Sequence, residues 1–91
     1  MHTTSILWDL DDEEDGNVQH IAEHGVSVEE VEEVLLDDAN EVFTSRTSGY
    51  PIVFGYTSTG RYLAVVFEHL DENPLTLRPI TACDAPERRR R

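Results

Sequence analysis

In the stretch Ser27-Val28-Glu29-Glu30-Val31-Glu32-Glu33-Val34-Leu35, valines and glutamates are sorted at helical spacing. Val28, Val31, Val34 and Leu35 fall on one stripe and Glu29, Glu30, Glu32 and Glu33 on the other, which predicts an amphipathic helix burying a valine-rich face. Its start is marked by a capping box: the Ser27 hydroxyl accepts from the Glu30 amide while the Glu30 carboxylate reaches back to the Ser27 N–H, with Val26 and Val31 as the hydrophobic staple. The helix should end near Asp37-Asp38. A stripe one face wide has to be covered by another layer.

Upstream, residues 11–24 read as a first helix, with acids crowding its first turn, where the helix dipole favours them, and Gly25 placed for a left-handed C′ position. Gly16 inside it costs about 1 kcal/mol relative to alanine, which delays the start to about Asp15. Before it, Ile6-Leu7-Trp8 is long enough for one strand only. After Asn40 the period changes from 3.6 to 2. Val42-Phe43-Thr44 starts a strand, Ile52, Phe54 and Tyr56 alternate with Val53, Gly55 and Thr57, and Ser58-Thr59-Gly60-Arg61 is a hairpin turn. Tyr62 to Glu68 is apolar on both faces and so should be covered or paired on both. A polar turn at residues 69–74 precedes a last strand at 75–83, in which Pro79 demands an edge or a bulge. The order β-α-α-β-β-β predicts an α+β domain with both helices on one face of an antiparallel sheet. Residues 1–91 form a single domain, and 85–91 are a basic tail or the start of a C-terminal helix, with Asp84 as its cap.

Charge divides this domain. Of 91 residues, 19 are acidic and 7 basic, every one of the 7 an arginine, for a net charge of −12. Residues 1–45 carry −14 and residues 46–91 carry +2. A surface this acidic repels phosphate at long range, which argues against nucleic-acid binding driven by net charge and confines any nucleic-acid role to the arginine half. Acid excess without lysine is the pattern of a protein adapted to high salt; a GC-rich genome favouring arginine codons produces it equally. The lone Cys83 excludes an internal disulfide, no run is apolar enough to span a membrane, and residues 1–7 lack the features of a signal peptide. A cytoplasmic protein is expected.

Candidate chemistry lies in two sets. His20 and His24, with Asn17, project from one side of the first helix; the histidines have chelating spacing but no third zinc ligand, so no metal and no cofactor is expected. Imidazole titrates near neutrality and suits acid–base work, while a helix-ending histidine also serves as a plain C-terminal cap. Arg46, Arg61 and Arg78 come from three strand regions, two of which a sheet can bring together as a phosphate or carboxylate clamp, and each can equally pair with a carboxylate of the protein. Tyr62, with Tyr50 and Tyr56, offers a ring for stacking a base or packing a core.

The order Trp8-Asp9, Asn17, His24-Gly25-Val26, the Glu30 to Asp37 helix, the Gly60 to Phe67 hairpin strand and Ile80-Thr81-Ala82 resembles the BrnT toxins, a branch of the RelE-like ribonuclease toxins. The resemblance runs from about Trp8 to Arg88. It implies a RelE/BrnT-like fold, a small ribonuclease that blocks translation, and a cognate antitoxin, expected here on the acidic helical side with RNA on the sheet side. Carried over by position, His24 matches the family's helix-ending histidine and Arg61 its hairpin arginine. His24 and His20 would then supply acid–base chemistry, and Arg61, with Arg78 or Arg46 and Tyr62, would hold the RNA. Glu23 and Cys83 stand where the family usually has cations. That substitution supports the alternative of a catalytically silent interaction module on the same fold.

Overall fold

The computed structural model describes residues 4–86. Two helices lie against one face of a five-stranded sheet: β1 (Thr4–Ile6), α1 (Asn17–Glu23), α2 (Val28–Leu35), β2 (Val42–Thr44), β3 (Pro51–Tyr56), β4 (Tyr62–Glu72) and β5 (Leu75–Asp84). The spatial order is β1-β5-β4-β3-β2. Ile21, Val26, Val31 and Val34 from the helical layer meet Val53, Leu63, Val65, Phe67, Leu77 and Ala82 from the strands in one buried cluster. α1 packs on β5, and α2 on β3 and β4.

This α+β architecture carries both helices on one face as expected, with two corrections to the sheet. Residues 42–56 form two strands, because the chain turns back through Ser45 to Tyr50, where Gly49 takes a φ of +78°. The sheet is also mixed: β1 runs parallel to β5, Thr4 opposite Leu75 and Ile6 opposite Leu77. Of the two options for Pro79, the bulge is realised. β5 is interior, and the register passes from Val66 opposite Thr81 to Phe67 opposite Pro79. β4 also runs on to Glu72, shrinking the predicted polar turn to Asn73-Pro74.

Both helix signals survive at their ends. The capping box is complete, with Glu30 N–H to Ser27 Oγ at 3.2 Å and Ser27 N–H to Glu30 Oε1 at 3.0 Å. α1 closes in a Schellman motif: Gly25, at φ +74°, donates to the Ala22 carbonyl and Val26 to the Ile21 carbonyl. Its beginning is corrected. The helix starts at Asn17, with no acid in its first turn, so the acids at 11–15 belong to the preceding turns. Gly16 is buried and extended there; a Cβ on it would lie 2.9 Å from that of Asp9.

What fixes this start is a reciprocal pair. Asp9 N–H donates to Asn17 Oδ1 at 2.8 Å, and Asn17 N–H donates to Asp9 Oδ2 at 2.9 Å. The buried Asn17 amide nitrogen then donates to the carbonyls of Leu7 and Pro79 at 3.1 and 3.0 Å. Trp8 leaves the sheet, correcting the predicted strand at 6–8, and its indole N–H reaches Glu32 at 2.9 Å.

β4 is paired on both edges, as expected, but no second layer covers its other face among the described residues. Tyr62, Ala64 and Val66 face away from the helices, beside Ile52 and Phe54 of β3. The aromatics cover one another instead: Phe54 stacks on Tyr62 with centroids 6.2 Å apart, and Phe43 meets Phe54 edge-on at 6.0 Å. Residues 87–91, which hold the arginine run, lie outside the described residues, and Ala85 and Pro86 are not helical.

Two substitutions test this frame. Asn17→Ala removes the partners of the Leu7 and Pro79 carbonyls and of the Asp9 amide, and is expected to lower unfolding free energy by about 3 kcal/mol in urea denaturation. Gly55→Ala would place a Cβ 2.3 Å from Asn40 Nδ2, which donates to the Val34 carbonyl at the end of α2. It is expected to destabilise by about 1–3 kcal/mol, and Asn40→Ala in the same background should recover part of the loss.

Candidate functional site

The histidines come first because α1 positions them directly. His20 lies in the last turn of the helix and His24 is its C-cap; both are exposed, with ring centroids 5.4 Å apart and planes at 74°. The Schellman turn that follows exposes the Gly25 carbonyl, which accepts from Arg61 Nη1 at 2.7 Å. His24 is therefore one residue from an arginine ligand, and His24 and Arg61, two of the three residues of the expected catalytic set, share one corner of the molecule.

Arg61 reaches that corner from the β3–β4 hairpin. Gly60 takes φ +87° in the turn, the Thr57 N–H donates to the Arg61 carbonyl, and the Arg61 N–H returns to Thr57 Oγ1. Its guanidinium is thoroughly engaged. Nε and Nη2 form a fork on Asp84, at 2.6 and 2.9 Å, while Nη1 donates to the Gly25 carbonyl and to Glu30 Oε1 at 3.0 Å. One cation against two carboxylates leaves a local charge of −1. The hydrogen bonds to Asp84 are the main cause that raises the Arg61 pKa above its ordinary value, with Glu30 adding to them. The same bonds lower that of Asp84. Glu30 is held below its ordinary value first by the Ser27 N–H and then by Arg61, against a partial desolvation.

The remaining candidates do not converge on this corner. Arg78 stands opposite Glu68 on β4, about 20 Å along the strand from Tyr62 at 3.3 Å per residue, and donates to Asp9 Oδ2 at 2.8 Å. Arg46 is in the turn at the far end of β3, about 17 Å of strand from the hairpin. The sheet thus keeps Arg46 and Arg78 away from Arg61, and neither joins it in a clamp. Tyr62 lies on the open face, its ring 4.7 Å from that of Tyr56, with the sheet between it and the histidines. Among the described residues, no group of three or more His, Cys, Asp or Glu side chains assembles for a metal ion.

Sequence reasoning missed Asp84, Glu30 and Gly25 as ligands of Arg61, and Asp9 as the ligand of Arg78. A usable signal existed for one of them. Glu30 already stood in a capping box, so its carboxylate was committed to the α2 start, where a hairpin arginine finds it. The pairing of Asp84 depended on a register in which it lies opposite Leu63, two residues beyond Arg61.

Arg61→Ala should lower the melting temperature by about 5 °C at neutral pH, since it cuts the link between the hairpin, the α1–α2 turn and the end of β5. The carboxylate pKa values are depressed, so this stabilisation is present above the ordinary value of 4.5 for Glu30 and is lost as pH falls through the lower folded value. The difference in melting temperature between wild type and Arg61→Ala should therefore narrow below about pH 4.5. Taking the difference cancels the effect of discharging the other carboxylates.

Compared with known protein families, curated proteins and solved structures, the chain matches none.

Proposed function

We propose that this chain is a BrnT-like, RelE-related domain of a type II toxin–antitoxin pair that works by binding a basic antitoxin on its acidic helical side and cleaves no RNA. The observation that carries this reading is the engagement of Arg61 by Asp84, Glu30 and the Gly25 carbonyl. A ribonuclease of this kind must stabilise a phosphate that gains charge in the transition state, and a corner of net charge −1 opposes that. The positions of Glu23 and Cys83, where the family usually carries cations, act in the same direction. A partner of translation control works in the cytoplasm, where we place the protein.

A second reading is favoured by the exposed His20–His24 pair. In a ribonuclease, one imidazole activates the 2′-hydroxyl, the other protonates the leaving oxygen, and Arg61 turns from Asp84 to the phosphate. RNA stacking on Tyr62 would then have to pass around the hairpin end of the sheet to reach the histidines.

Expression in a host cell discriminates the two. The wild-type chain is expected to leave growth and total RNA intact, and a small basic protein encoded beside it is expected to copurify with it. Growth arrest with RNA cleavage, both lost in His24→Ala, would falsify the first reading and establish the second.

A further inference from the structure

Past the C-terminal end of α2 the helical layer stops before the sheet does. This leaves a groove of about 310 Å³ on the helical side of the sheet, the volume of about ten waters. Leu35, Val53, Phe67 and Leu77 line it, Val42 and Leu75 stand at its two ends, and Asp37 and Asp38 lie on its rim. Val53, Phe67 and Leu77 belong to the core cluster, so the groove is a direct extension of the hydrophobic interior. At one end Val42 is 58% exposed.

The wall formed by Val42 is also an open edge. β2 is three residues long, all exposed, and is last in the sheet. The Ser45 N–H bonds the Tyr50 carbonyl at 2.8 Å, and an antiparallel ladder alternates, so Phe43 and Ile52 form the next bonded pair. The N–H and C=O groups of Val42 and Thr44 then point outward, beside the mouth of the groove. An apolar small molecule would leave them to water, whereas an extended peptide satisfies them while placing alternate side chains in the groove. Charge selects which peptide. Asp37 and Asp38 line this mouth, the exposed Glu41 directly precedes Val42, and a second copy paired edge to edge would bring like acids face to face.

We propose that the groove and the β2 edge together bind an extended basic segment of a partner protein. Aliphatic residues two apart enter the groove, and flanking lysines or arginines meet Asp37, Asp38 and Glu41. The proposal rests on the partner-binding reading above and specifies where that partner makes contact.

The probe is a fluorescein-labelled peptide, Arg-Arg-Leu-Thr-Val-Arg-Arg, titrated with the full chain at physiological salt. Saturable binding is expected, weakened at least tenfold when serine replaces the leucine and valine, and at least tenfold in the Asp37→Asn, Asp38→Asn double variant. Val42→Lys, at an exposed position, should abolish binding while leaving the melting temperature within about 2 °C. In amide NMR spectra, the peptide should shift Val42 and Thr44 ahead of residues on the Phe54–Tyr62 face. Absence of saturable binding, binding of the serine peptide within twofold of the parent, or full affinity in Val42→Lys overturns the proposal. The broader reading is judged separately: RNA cleavage sinks it whatever the peptide does. A copurifying antitoxin without RNA cleavage sustains it even if the groove proves empty of function.

Discussion

The reciprocal hydrogen bonds between Asp9 and Asn17 are the constraint on which the rest of this domain is arranged. They end β1, begin α1 and, through the Asn17 amide, take the Pro79 carbonyl at the point where β5 bulges. β1 pairs with β5 only as far as Leu77, and Pro79 has no N–H for a ladder. Without Asn17, the outer side of β5 would carry a buried carbonyl with no donor. Asp9 extends the same network to Arg78, the residue before Pro79 on β5. The short signature Trp8-Asp9 followed by Asn17 is thus a structural joint: a helix, two strands and an irregular strand position meet in it.

This joint also explains what was legible in the sequence and what was not. Local chemistry was readable: the capping box at Ser27 and Glu30, the left-handed Gly25 and Gly60, and the period-2 pattern of β3 and β4 all appear where their spacing placed them. The start of α1 was not, because residues 11–15 have the composition of a helical first turn, and only a bond from Asp9, eight residues before Asn17, overrides it. The parallel pairing of β1 with β5 and the partners of Arg61 and Arg78 depend on contacts separated by tens of residues. No window of sequence contains both ends of such contacts.

The acidic character of the helical side changes meaning once these contacts are seen. Three of the four glutamates on the polar side of α2 are tethers: Glu30 holds Ser27 and Arg61, Glu32 takes the Trp8 indole, and Glu33 accepts from the Ser58 N–H in the hairpin. They fasten α2 to the N-terminal segment and to the β3–β4 turn. Exposed charge is concentrated elsewhere, in the turns at 11–15 and at the Asp37-Asp38 corner. The exposed acids thus stand at two places beside the helices, and only the second adjoins an apolar groove and an open strand edge. That combination supplies both long-range attraction and a surface to bury, whereas an acidic turn alone supplies attraction without specificity.

Arg61 serves the fold through bonds that would oppose its use as a phosphate ligand. Its guanidinium joins three segments far apart in the chain, and each bond is charge-assisted or made to a carbonyl at a helix end. To receive a phosphate it would have to leave Asp84 or Glu30, exposing a carboxylate to the incoming anion in the same movement. The phosphate would then face repulsion from the group just released, so substrate binding and loss of the clamp would oppose each other. A ligand can shift such an equilibrium only by its differential affinity for the two states, and here the released state has the less favourable field for an anion. A protein bound on the helical side would meet no such conflict, because it would leave the clamp closed and gain from the rigidity that the clamp imposes on α2 and the hairpin.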